Sequence, residues 1–160
     1  MIGWAEQSDR QPCCESSLGA VANDEFIARL IIKPNPTNGY TPFRRGEIFG
    51  NTKHGTSNFC GEKSGCSVLR CNSLSVTKLT ELSEAQAKMK PNRTGDGARR
   101  ANTGTLRKIR AANTPDLQVV FVYDDPREDQ IYHAVMRGSH KIEPSDQKLI
   151  IEDIEKAFQR

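Results

Sequence analysis

No run of apolar residues in this 160-residue chain approaches the roughly twenty that a helix needs to cross a bilayer, so no membrane partner is expected. The first residues lack a basic start followed by an apolar stretch, so no secretory signal is expected either. Aromatics are only 6% of the chain, and apolar residues 36%, which predicts a modest core with much loop. Catalytic signatures are missing too. There is no GK[S/T] phosphate loop, no D…ExK nuclease spacing, no nucleophile elbow and no HExxH. Five cysteines make an odd set, in a chain long for a disulfide scaffold, and this predicts reduced thiols in a cytoplasmic protein.

The elements that are present predict one domain over residues 22–160, preceded by a surface arm over 1–21 anchored by Trp4. Asn23 and Asp24 resemble helix caps, and Phe26/Leu30 with Ile27/Ile31 stand at i, i+4, so residues 24–33 lean to helix, although Ile31-Ile32 argues for a strand. Short strands are expected at GEIFG (46–50), CSVLRC (66–71) and NSLSVTK (72–78). A short helix capped by Ser83 should cover LSEAQAKM. LQVVFVYDD (117–125) is apolar on both faces and reads as a central strand. The short connection to IYHAVMRG (131–138) predicts an antiparallel hairpin. Ile150, Ile154, Ala157 and Phe158 form the inward stripe of a last helix capped by Ser145. The sum is an α+β fold: a small, mostly antiparallel sheet with packed helices and long loops.

His54, Cys60, Cys66 and Cys71 have zinc-binding chemistry but not zinc-binding spacing. Cys66 and Cys71 flank a strand at an odd offset, so alternation sends them to opposite faces. The expectation is therefore no metal and no other cofactor, with Cys66 as a small buried hydrophobe.

The strongest signal is the segment from Lys88 to Arg110. It holds eight bases against the single acid Asp96, a local net of +7 in a chain whose net is +3, which leaves −4 for the remainder. Arg93, Arg99, Arg100, Arg107, Lys108 and Arg110 are the candidate phosphate ligands, with glycines at 95, 97 and 104 allowing close approach. Thr103 or Thr105 would cap a helix through LRKIR whose free N–H groups suit phosphate. No aromatic interrupts the segment, so contact with a nucleic acid should follow the backbone and ignore sequence. A solvated basic face is the plain alternative.

Asp124, Asp125, Glu128 and Asp129 cluster in one turn ahead of His133. Such carboxylates can hold a divalent cation, and a histidine beside them can move protons. A histidine between apolar strand residues is more often a satisfied core group.

SLSVTKLTELSE (73–84) and LQVVFVYDDPREDQIYHAVMRG (117–138) resemble segments that recur in an uncharacterised family of small bacterial proteins, LSV-T-R/K…LSE and D-P…H-A-x-I-x-G. The resemblance places Ser75, Lys78, Pro126, His133 and Ala134 at recurrent positions and implies no activity. REDQIYHA departs from the family's Asn-Pro before the histidine. The leading expectation is a module that binds a polyanion, nucleic acid or nucleotide, and acts beside a partner protein. A small enzyme on a nucleotide or nucleic acid is the alternative, with His133 as acid/base, Ser75 and Lys78 as further catalytic candidates, and Lys78 and the arginines holding phosphate. A non-catalytic interaction subunit using the arm at Trp4 is the third.

Overall fold

The computed structural model describes residues 8–10, 18–50 and 65–160; Trp4, the Cys13–Cys14 pair, His54 and Cys60 lie outside them. Five strands, β1 (Phe26–Pro34), β2 (Cys66–Arg70), β3 (Arg93–Asn102), β4 (Val120–Asp124) and β5 (His133–Gly138), make one antiparallel sheet in the order β3-β1-β2-β5-β4. Among the described residues there are four helices, α1 (Arg45–Ile48), α2 (Val76–Ala87), α3 (Thr103–Arg107) and α4 (Pro144–Ala157). The fold is α+β. None of these helices is long and apolar enough to cross a membrane.

Each face of the sheet carries its own core. Ile27, Cys66, Val68, Val120, Val122, Ala134 and Met136 turn to one face and meet Ile150, Ile154 and Phe158 of the α4 region. Phe158 packs tilted on Phe43, ring centroids 4.6 Å apart. On the other face Ala28, Leu69 and Cys71 meet Leu79 of α2. Strand alternation thus sends Cys66 and Cys71 to separate cores. Burial pushes both thiols up to about 11, which leaves little thiolate at neutral pH.

Several local expectations are corrected. Residues 26–34 are strand, not helix: the β-branched pair Ile31-Ile32 fits a pleated surface between β3 and β2, and the i, i+4 coincidence carries no weight there. GEIFG is not a strand; it contributes to the single turn of α1, which drives Ile48 into the core. NSLSVTK opens α2. Its cap is Ser75, whose hydroxyl accepts from the Lys78 N–H at 3.0 Å, while Ser83 lies buried inside the helix. α4 starts earlier than expected, with Pro144 in its first turn after Glu143.

β4 is buried throughout, as its two apolar faces require, yet it is an edge strand and not a central one. Side chains close its free edge. The Asp9 carboxylate accepts from the Val122 N–H at 2.8 Å, Arg107 donates to the Val122 oxygen at 3.1 Å, and Gln118 donates to the Val120 oxygen at 3.0 Å. An edge whose outward groups are satisfied in this way reads in sequence like an interior strand.

Candidate polyanion interface

The basic segment does not fold as one stripe. α2 ends at Ala87, and an exposed turn carrying Lys88, Met89 and Lys90 leads into β3 at Arg93. β3 is the other edge of the sheet. Arg99 stands opposite Arg29 and Arg100 opposite Ala28, so the two arginines turn to opposite faces. Arg100 projects over the α2 face, where its charge acts on the Cys71 thiol. Among the described residues no acid pairs with Lys88, Lys90, Arg93, Arg99, Arg100 or Lys108.

The lone acid of the segment is already engaged. Asp96 accepts from Lys33 at 2.7 Å and from Arg160 at 2.8 Å. Those two hydrogen bonds hold its carboxyl down to about 2, so it stays ionised through the ordinary pH range. Lys33 and Arg160 add two further cations around the turn.

Arg107 leaves the candidate set. It is 3% exposed and forms a core ion pair: it donates to Asp9 Oδ2 at 2.8 Å, to the Asp9 oxygen at 3.1 Å and to Asn23 at 2.9 Å. A guanidinium with its donors consumed this way cannot meet a phosphate. Arg110 remains at the surface and caps the end of α3, donating to the Arg107 and Ile109 oxygens. The helix start offers no free N–H either. Thr103 donates to Glu25, Gly104 to Asn23, and Thr105 to the side chain of Asn102, which is the true cap in place of Thr103 or Thr105.

The acidic turn divides in the same way. Asp124 faces the α4 core and accepts from Arg70 at 3.3 Å; Arg70 also grips Glu25 at 2.7 and 2.9 Å. Burial works against ionised Glu25, but hydrogen bonds from Arg70 and the Ala22 N–H outweigh it and lower its pKa. Asp125 turns to the opposite face and is 1% exposed. His133 Nδ1 lies 2.9 Å from the Asp125 main-chain oxygen, which takes its hydrogen bond, and 3.2 Å from Oδ2. Glu128 and Asp129 stay exposed at the hairpin tip, and among the described residues no three metal-ligating side chains converge.

His133 is 4% exposed, and no hydrogen bond or ion pair joins it to Ser75 or Lys78, which are both exposed at the start of α2. The histidine ties β5 to the turn that leaves β4. His133→Ala should therefore lower stability by about 1–3 kcal/mol in a denaturant titration, whereas His133→Asn, whose amide reaches the place of Nδ1, should recover most of the loss. Equal losses in the two variants would show that the bond to Asp125 is unimportant.

No local pattern marks the Asp9–Arg107 pair, whose members stand far apart in the chain. Arg70 does leave one trace in the sequence: a charged residue inside an apolar strand requires a partner. No family model, curated protein or solved structure matches this chain.

Proposed function

We propose that the protein binds a polyanion, a nucleic acid or nucleotide, through the α2–β3 turn and β3, with Lys88, Lys90, Arg93, Arg99 and Arg100 as the contacting groups. One observation carries this reading. These cations have no acidic partner among the described residues, while the one acid within the segment, Asp96, is neutralised twice over. A base already paired at home gains little from a phosphate; an unpaired one gains a charge-assisted hydrogen bond and releases counterions. Arg107 is excluded by burial, and Lys108 and Arg110 lie beyond α3, away from the turn.

Duplex DNA titrated at several salt concentrations tests the reading. Affinity should fall with salt and depend little on sequence. Ala at Lys88, Lys90 and Arg93 together should flatten the slope by about three units, one for each phosphate no longer neutralised. Asp96→Ala should act oppositely, tightening binding by freeing Lys33 and Arg160. Wild type that fails to bind DNA or a nucleoside triphosphate, or a triple variant that binds unchanged, contradicts the proposal.

A further inference from the structure

The α2–β3 turn holds an apolar side chain that charge alone does not explain. Met89 is 80% exposed, more than any other large hydrophobic residue among the described ones; Val76 follows at 64%. It stands between Lys88 and Lys90, both exposed, with Pro91 two residues on. The turn is held from both sides. The Lys88 and Met89 N–H groups donate back into α2, to the Glu84 and Gln86 oxygens at 3.2 and 3.1 Å. On the strand side the Asn92 oxygen accepts from the Asn35 N–H at 2.8 Å, and Arg93 pairs with Pro34. Ala87, two residues before Met89, is buried, and Pro91 fixes a backbone angle between the two anchors. Met89 is thus an apolar tip on an anchored turn, with a cation on each side.

A phosphate gives such a side chain nothing to bury against, whereas the face of a base does. Resting on the polyanion reading of the turn, we propose that the ligand is duplex DNA and that Met89 enters its minor groove as a wedge. The wedge partly unstacks one base step and kinks the duplex toward its major groove. Lys88 and Lys90 meet phosphates on the two sides of the groove, which is about 6 Å wide in B-DNA. Methionine is unbranched and polarisable, so it fills an irregular gap between bases. Unstacking costs free energy, which the phosphate contacts offset. A wedge reads no base edge, so affinity still depends little on sequence, but any step whose stacking is already weakened is favoured. The lysines act through charge and Met89 through an apolar contact, so the two roles fail separately.

A short duplex carrying a fluorophore at each end reports bending by energy transfer. Wild type should bend it. A duplex with one central mismatch should bind about tenfold more tightly than the matched one, because the mismatch has already lost stacking that the wedge must break. Met89→Ala should keep the wild-type salt slope, leave the duplex straight and lose the mismatch preference, while Met89→Leu should keep both bending and preference. Lys88→Ala with Lys90→Ala should flatten the salt slope. Wild type that binds with the full salt slope and leaves the duplex straight overturns the wedge and spares the polyanion reading; wild type that binds no DNA overturns both. Met89→Ala that bends DNA like wild type also overturns the wedge. So does a Met89→Ala variant whose DNA complex is unchanged but whose binding to vesicles of phosphatidylserine and phosphatidylcholine is lost, since that assigns Met89 to a lipid surface.

Discussion

Asp9→Ala is expected to cost about 3–5 kcal/mol of folding stability, because it strands the Arg107 guanidinium in the core with its charge uncompensated. Both partners are 2% exposed at the side chain and meet at 2.8 Å. The carboxylate also fills the Val122 N–H, so the substitution reopens the edge of β4 as well. A thermal melt should fall by on the order of 10 °C. Two companion variants separate the charge from the contact. Arg107→Ala on its own should be costly too, but the double variant Asp9→Ala/Arg107→Ala should cost well under the sum of the two. Additive losses would show that the pair is not coupled. Polyanion affinity of folded Arg107→Ala should match that of wild type, whereas a single surface made of all eight bases would lose affinity.

Gly95→Ala should have the next largest effect, about 3 kcal/mol, the upper end of what overpacking costs. A Cβ at Gly95 would lie 2.6 Å from the nitrogen of Glu84 and from the carbon and oxygen of Ser83. All three are main-chain atoms of α2, so no side chain can swing aside and the helix must move. α2 is pinned at this crossing by the Gly97 N–H, which donates to the buried Ser83 hydroxyl at 3.0 Å. Gly46→Ala, where an added Cβ meets nothing within 4 Å, is the control and should be near neutral. If Gly95→Ala melts like Gly46→Ala, the close approach of α2 to β3 is wrong. If it melts early, polyanion binding should weaken with it, because the same crossing positions the turn that carries Lys88, Lys90 and Arg93.

What can be read from the sequence follows from how local its causes are. The β4–β5 hairpin and α4 are legible because neighbouring residues specify them: two mostly apolar strands around a short polar turn in one, an apolar stripe at helical spacing in the other. β1 reads falsely as helix because Phe26/Leu30 and Ile27/Ile31 satisfy a helical spacing by coincidence. Only pairing with β3 and β2 decides the matter, and those partners lie far along the chain. The start of α2 reads too late because Ser83 has the residue type of a cap while Ser75 stands in a stretch, NSLSVTK, that reads as strand; in the fold Ser75 is the cap and Ser83 packs against β3. Strand order leaves no local mark, so the edge position of β4 is hidden. In the candidate site the sign and density of charge are legible, and the separation of Arg107 from its neighbours is not. Nothing in LRKIR says which base turns inward, because the answer depends on Asp9.

The role of the basic turn is tested most directly by following amide shifts across the whole chain during titration with a short DNA duplex. Changes should concentrate between Lys88 and Arg100 and at Lys33 and shrink as salt is added, with the hairpin at Glu128 and Asp129 unmoved. Shifts that gather instead around His133 and the start of α2, or that spread without focus and ignore salt, would contradict it.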